Sequence, residues 1–269
     1  MTLLTRTGHI HRTALVHPGA KIGKNVTIGP TCTIGPGVEI GDNCVIETQV
    51  VIEGRAIIGA GNRFSHGVTI GSTPQEYRDA QDDGLLLIGD NNLFKEGAVV
   101  SHGSEGGLTR IGSHNLFMAY SYVGADCQVG NYVVVDNCVN LSEKVLVEDR
   151  AILGGLSWVH PYCKIGKMVM VGGCTKIVKD VPPYLLIDGN PVRIFGINIV
   201  GLRRNGIPPE ARDEIKKAYR LLYRSKLTLR QAIVKMEEEL DKIPEIEHFI
   251  EFIRNTDRGI LRQNVDMEG

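Results

Sequence analysis

The feature that most constrains this sequence is an apolar residue at every sixth position over long stretches. From Ile111 to Ile177 the repeat runs without a slip, and a small residue often follows the apolar one, as at Gly124 and Gly166. A period of six fits neither the α-helical turn of about 3.6 residues nor the two-residue alternation of a strand. It indicates a solenoid whose short units bury their apolar sides only by stacking on their neighbours.

Each group of six predicts one short strand and a turn, and three groups make one triangular coil. Coils stack about 4.8 Å apart, which is the usual spacing between neighbouring strands. A second inward position follows four residues after each apolar one and holds small or β-branched side chains. The cysteines that we interpret as packing groups at this position are Cys32, Cys44, Cys127 and Cys163.

The six-residue repeat is interrupted twice, and each interruption predicts a loop that projects from the solenoid. The first loop is expected at residues 72–87 and the second at residues 104–110, after which the phase has shifted by one residue. Loops on a regular scaffold often carry function, although tolerated insertions would give the same pattern.

The period changes to helical in the last third of the chain. We therefore expect a β-helix over residues 1–186, then a bridge and a helical domain over residues 187–269. Pro208-Pro209 and Pro244 are typical helix starts, and Thr228 with Gln231 predicts a capping box. The tail from Gln263 is expected to be loose.

Charge and hydropathy exclude several classes of function. The chain has 30 Lys and Arg against 31 Asp and Glu, which argues against a broad nucleic-acid surface. No apolar run approaches the ~20 residues needed to span a bilayer, and the first residues lack a signal-peptide pattern. We expect a cytoplasmic protein that does not span a membrane.

Several motifs outside the plain repeat are more specific, among them Asp180-Val-Pro-Pro-Tyr184, Gly201-Leu-Arg-Arg204 and Ala218-Tyr-Arg-Leu-Leu-Tyr-Arg-Ser225. Together with Val171-Gly-Gly-Cys174 and the hexads, they resemble the acyl-carrier-protein-dependent UDP-N-acetylglucosamine O-acyltransferases that start lipid A synthesis. The resemblance implies an all-β left-handed parallel β-helix of hexapeptide repeats with a C-terminal α-helical domain.

The same resemblance implies the chemistry. It implies transfer of a 3-hydroxyacyl chain from acyl-carrier protein to the 3-hydroxyl of UDP-N-acetylglucosamine. It also implies a homotrimer with its sites between adjacent prisms, and no metal or cofactor beyond the phosphopantetheine that arrives with the donor. Outward-facing candidates to be covered in a trimer are Tyr120, Tyr122, Trp158 and Tyr162.

Binding positions carry over from the family residue by residue. Gly173, with Met170 near the same end, matches the position that sets acyl-chain length. The matching substrate-binding positions are Glu76 and Arg78 on the first loop, His160, Asn198 and Arg204.

The chain departs from the family at the general base. The family motif is His-Asp-Cys, whereas this chain has Ala125-Asp126-Cys127. A sugar hydroxyl must lose its proton as it attacks a thioester, and imidazole is suited to accept that proton near neutral pH. Further departures are Tyr122, Lys144, Ser101-His102, Pro191 and Val200. The cluster predicts altered chemistry.

Counting positions in the six-residue repeat identifies His102 as a candidate replacement base. If Val100 and Val123 lie one coil apart, His102 stacks beside Ala125, and Glu143 flanks Ala125 from the next coil. A dyad of His102 with Asp126 or Glu143 is then possible. Alternatively, His102 is a solvent-facing side chain without a catalytic role. A separate hypothesis, favoured by Ala125, is a catalytically silent paralogue that binds acyl-carrier protein or a UDP-sugar as a regulatory or scaffold protein. The histidines lack the close spacing of a zinc site, so no metal is expected.

Overall fold

The computed structural model describes residues 8–75 and 84–262, and within them the chain winds into a triangular prism. Its sides are three sheets of nine, eight and ten described strands, numbered here in chain order. The first sheet contains β1 (Leu15–Val16), β4 (Thr33–Ile34), β7 (Val51–Ile52), β10 (Thr69–Ser72), β13 (Val99–Ser101), β16 (Tyr122–Val123), β19 (Asn140–Leu141), β22 (Trp158–Val159) and β25 (Lys176–Ile177). The second contains β2 (Lys21–Ile22), β5 (Glu39–Ile40), β8 (Arg55–Ile58), β11 (Leu85–Ile88), β14 (Leu108–Ile111), β17 (Gln128–Val129), β20 (Leu146–Val147) and β23 (Lys164–Ile165). The third contains β3 (Thr27–Ile28), β6 (Val45–Ile46), β9 (Arg63–Phe64), β12 (Leu93–Phe94), β15 (Leu116–Phe117), β18 (Val134–Val135), β21 (Ile152–Leu153), β24 (Met170–Val171), β26 (Leu185–Asp188) and β27 (Arg193–Ile197).

The register of the coils confirms the six-residue period. Ile34 pairs with Ile52 and Val123 pairs with Leu141, so the apolar residues of successive coils stand in columns. These columns fill the interior. Removing their apolar surface from water stabilises the fold. The predicted left-handed parallel β-helix with a C-terminal α-helical domain is confirmed. The predicted inward cysteines are buried, and desolvation raises the pKa of Cys163 to about 11.

The corners of the prism repeat one backbone conformation. We call the turn from the first sheet to the second the first corner, that from the second to the third the second corner, and that from the third to the first the third corner. A residue with positive φ recurs at these corners, such as Asp126 at 58°, Tyr132 at 57° and Tyr120 at 59°. The left-handed conformation of Asp126 is therefore a property of the coil and not a local strain.

Both insertions leave the prism at the first corner, but their bounds differ from those expected. β10 ends at Ser72 and β11 begins at Leu85, while β13 ends at Ser101 and β14 begins at Leu108. The predicted loops at 72–87 and 104–110 are therefore wrong at their ends. The cause is that Leu85 pairs with Leu108, so both strands extend toward the loops beyond the six-residue pattern.

The C-terminal part continues the third sheet before it becomes helical. β26 and β27 pair antiparallel, and the predicted boundary after residue 186 falls inside β26. The helices are α1 (Ile199–Arg204), α2 (Pro209–Tyr223), α3 (Leu229–Glu239) and α4 (Pro244–Arg254). Both proline starts and the Thr228–Gln231 capping box are confirmed. The tail from Gln263 lies outside the described residues. Among the residues that are described, no helix is long and apolar enough to cross a bilayer.

Candidate functional site

The first corner gathers the candidate catalytic residues. Val100 pairs with Val123, and Val123 pairs with Leu141, which confirms the strand pairing that the His102 hypothesis assumed. Because strands of the first sheet run into the first corner, His102, Asp126, Glu143 and His160 all lie along it.

His102 is held by the backbone of both insertions. Its amide N–H donates to the carbonyl of Ser72 at 3.1 Å. Its ring Nδ1 lies 2.6 Å from the carbonyl oxygen of Gly103, which can only accept, so Nδ1 carries the proton in the neutral ring. The basic nitrogen is then Nε2. The side chain is 1% exposed in a single copy of the chain.

Asp126 is directed to Ser104 and not to His102. Its Oδ1 accepts the Ser104 backbone N–H at 3.0 Å, and its Oδ2 accepts the Ser104 hydroxyl at 2.6 Å. The Asp126 N–H donates to Thr109 Oγ1 at 2.9 Å. The structure therefore does not form the expected direct contact between His102 and Asp126.

Glu143 lies one coil beyond Ala125 and is half-exposed. Nδ1 of His102 is held by the Gly103 carbonyl at 2.6 Å and is therefore not available to the Glu143 carboxylate. Ala125 is 0% exposed, and its carbonyl accepts the N–H of Lys144 at 2.8 Å. Position 125, where the family histidine was expected from the sequence, is thus closed to solvent in a single copy.

His160 lies beside an aromatic and cationic surface that sequence reasoning did not connect with the site. Its ring centroid is 5.7 Å from that of Trp158, and Lys176 Nζ lies 5.2 Å from the Trp158 ring. Trp158 Nε1 donates to Ser142 Oγ at 2.9 Å, which orients the indole. The available signal was a tryptophan at an outward hexad position two residues before His160.

Asn198 performs a structural task in this chain. Its Oδ1 accepts the N–H of Gly201 at 2.9 Å, capping α1, and its Nδ2 donates to the carbonyl of Met168 at 2.9 Å. Arg204 lies exposed in the last turn of α1. Sequence reasoning missed Arg150, which donates to Asn205 Oδ1 at 2.7 Å and links the end of α1 to the prism; no motif or spacing indicated it.

The residues expected to line the acyl pocket lie away from the first corner. Met170 faces outward from the third sheet, and Gly173 lies exposed at the third corner. A Cβ added to Gly173 would come 3.3 Å from the carbonyl oxygen of Gly155, so a small movement would admit it. In one copy, the first sheet therefore separates the candidate base from the candidate acyl pocket.

The remaining predictions concern Glu76, Arg78 and metals. Glu76 and Arg78 lie outside the described residues. Among the residues the structure does describe, no group of three or more histidine, cysteine or acidic side chains could hold a metal ion.

Comparison with known proteins gives matches over both parts of the chain. A family model described as UDP N-acetylglucosamine O-acyltransferase, domain 2, matches residues 180–261, and one described as bacterial transferase hexapeptide matches residues 8–41. A protein of Anaeromyxobacter sp. (strain K) named acyl-[acyl-carrier-protein]–UDP-N-acetylglucosamine O-acyltransferase is 42% identical over 194 residues, 71% of this chain and 76% of that protein.

Solved structures match over nearly the whole length. A UDP-N-acetylglucosamine acyltransferase from Bacteroides fragilis superposes with a TM-score of 0.91 and 37% identity, covering 94% of this chain and 100% of that one. The Francisella novicida UDP-N-acetylglucosamine acyltransferase gives 0.91 and 38%, covering 96% and 95%. The similarity includes the helical domain as well as the prism.

Proposed function

This chain belongs to the UDP-N-acetylglucosamine O-acyltransferase family, and on that premise we propose that it moves a 3-hydroxyacyl chain from acyl-carrier protein to the 3-hydroxyl of UDP-N-acetylglucosamine or a close analogue. The observation that carries the proposal is a match of 37% identity and TM-score 0.91 that includes the helical domain. The reaction would belong to lipid A synthesis. Because acyl-carrier protein and UDP-sugars are cytoplasmic, we place the reaction in the cytoplasm.

We assign His102 as the general base in place of the missing histidine. The Gly103 carbonyl keeps the proton on Nδ1, so Nε2 is the nitrogen able to accept the sugar proton. The sugar oxygen attacks the thioester carbonyl, a C–O bond forms and the C–S bond breaks. The phosphopantetheine thiolate leaves and takes the proton from the imidazolium. The ring is 1% exposed in one copy, so the acceptor reaches Nε2 only if groups packed around the ring move.

We propose that the working site is completed by a second copy in a homotrimer. One copy carries His102 at the first corner and Gly173 at the third corner, on opposite sides of the first sheet. Placing the first corner of one copy against the third corner of the next would bring base and acyl pocket together. Large exposed side chains at these corners, Tyr162 at the first and Tyr120 and Leu156 at the third, support such a contact.

The burial of the base position favours one alternative function. Ala125 is 0% and His102 is 1% exposed, so neither meets solvent in a single copy. On this second reading, the chain is a silent paralogue that binds acyl-carrier protein or a UDP-sugar and regulates or scaffolds.

The decisive experiment measures acyl transfer by mass spectrometry with 3-hydroxyacyl carrier protein and UDP-N-acetylglucosamine. Wild type would be compared with His102→Gln, Ala125→His and a control, His114→Gln, which alters an exposed histidine at the second corner. Loss of the base should lower the rate by about 10²–10⁴ in His102→Gln and leave the control unchanged.

Each of the other outcomes would contradict a different part of the proposal. Full activity in His102→Gln would remove His102 as the base while keeping the transferase. Activity in Ala125→His alone would establish the silent paralogue. Absence of transfer in every variant would show that the proposed substrates are wrong.

A further inference from the structure

One peptide group lies between Asp126 and His102. The Gly103–Ser104 peptide uses its N–H to donate to Asp126 Oδ1 at 3.0 Å. Its carbonyl oxygen lies 2.6 Å from His102 Nδ1 and accepts that proton. Because a trans peptide is planar and its N–H and C=O point in opposite directions, the carboxylate and the imidazole lie on opposite sides of a rigid connector.

We propose that Asp126 is a positioning residue that acts on His102 through this peptide, in place of the direct contact expected from the sequence. The inference rests on the proposed function, in which His102 is the base. The carboxylate would do two things through the peptide. It fixes the orientation of the carbonyl that holds Nδ1–H, and it polarises that carbonyl into a stronger acceptor, because hydrogen bonds in series strengthen one another.

The hydroxyl of Ser104 makes the connector specific. Asp126 accepts the Ser104 hydroxyl at 2.6 Å as well as its N–H, so both carboxylate oxygens hold the same residue. Hydrogen bonds to a charged acceptor are about twice as strong as neutral ones. Such a two-point contact fixes both the position of Ser104 and the plane of the peptide before it.

The surrounding loop is built to keep this peptide in place. Gly103 N–H donates to the Leu85 carbonyl at 3.2 Å, and Gly107 N–H donates to the Ser104 carbonyl at 2.7 Å. A Cβ on Gly107 would collide with Asp126 Oδ1 and the Ser104 hydroxyl. Glycine at 107 is therefore needed for the loop to close onto the carboxylate.

The test separates geometry from charge with two variants of Asp126. Asp126→Asn keeps an oxygen for the Ser104 N–H and an NH₂ that can donate to the Ser104 hydroxyl, so it preserves the connector without the charge. Asp126→Ala removes both contacts. Asp42→Asn is the matched control, because Asp42 accepts the Lys24 N–H at 2.7 Å on the second corner, outside the site.

The first measurement is the ring ¹⁵N chemical shifts of His102, which report its tautomer whether or not the enzyme turns over. We expect the Nδ1–H tautomer in wild type, Asp126→Asn and Asp42→Asn, and a mixture of tautomers in Asp126→Ala. An Nε2–H ring in wild type, or an unchanged tautomer in Asp126→Ala, would overturn the proposal.

The second measurement is the kinetics of acyl transfer. We expect Asp126→Ala to lower kcat by about 10- to 100-fold with little change in KM, by analogy with the loss seen when the partner that orients a metal-bound histidine is removed. Asp126→Asn should recover much of that loss. Equal losses in the two variants would show that Asp126 acts by charge alone and would refute the positioning role. Absence of turnover in wild type would instead count against the proposed function, with the tautomer measurement still deciding the role of Asp126.

Discussion

Phe94 lies in the middle of a column of three stacked rings inside the prism. Its ring centroid is 5.1 Å from that of Phe64 and 4.8 Å from that of Phe117, with interplanar angles of 7° and 4°. All three rings are 0% exposed. The first loop lies between Phe64 and Phe94 in the chain, and the second lies between Phe94 and Phe117. The column therefore joins the coils that the two insertions interrupt.

The cost of removing this ring follows from its burial and its two neighbours. Phe94→Ala leaves a cavity and should lower the free energy of unfolding by about 3–5 kcal/mol. Phe94→Leu keeps much of the apolar volume but loses two ring contacts worth about 0.5–1.5 kcal/mol each, so about 1–3 kcal/mol is expected. Because a solenoid is held by interactions between neighbouring units, the loss also weakens the coupling between the two ends of the prism.

The assay is urea unfolding at one fixed protein concentration, followed by far-UV circular dichroism and by fluorescence of Trp158, the single tryptophan. Circular dichroism reports the whole chain, whereas Trp158 reports coils C-terminal to the column. In Phe94→Ala the two transitions should separate. Val234→Ala, at a side chain 51% exposed on α3, is the control and should change stability by less than about 0.5 kcal/mol. A loss below about 1 kcal/mol in Phe94→Ala would refute the reasoning.

Three further predictions concern the joint between the two domains and the acyl pocket. His248 Nε2 lies 2.8 Å from Glu148 Oε2, and this hydrogen bond raises the pKa of His248 above its ordinary 6.5. Its contribution to stability is full below that value and is lost as pH rises through the raised pKa, so the Tm difference between wild type and His248→Gln should be largest below pH 6.5 and shrink as the pH is raised above it. Asp180 is 0% exposed and accepts a backbone N–H at 2.8 Å and the hydroxyl of Thr256, so Asp180→Ala should cost about 1–3 kcal/mol by calorimetry, and an unchanged Tm would contradict this. Gly173→Met should shift transfer toward shorter acyl chains when mixed donors compete, as read by mass spectrometry; an unchanged preference would remove Gly173 from the acyl pocket.

The second loop accounts for the direction of the Asp126 carboxylate. In this chain the loop from residue 102 to residue 107 returns to the first corner, and Asp126 holds it there. Both carboxylate oxygens of Asp126 are therefore directed to Ser104.

Periodicity alone predicted much of the prism, because each inward side chain must meet a similar one in the next coil. The buried state of Cys127 and the pairing of Val100 with Val123 followed from counting in sixes. The helix starts at Pro209 and Pro244 were also readable, since they depend on local backbone chemistry. Hairpin β26–β27 and the short helix α1 were missed, because neither is long enough to show a period.

The sequence by itself determined the coil, its columns and the family, since these depend on a pattern that survives without knowledge of any single contact. It also determined which residues share the first corner. Only the tertiary structure decided how they face one another: Asp126 turns to Ser104, and a peptide separates it from His102. The physical reason is that a repeat specifies positions on the scaffold, whereas the path of an inserted loop depends on hydrogen bonds between residues far apart in the chain.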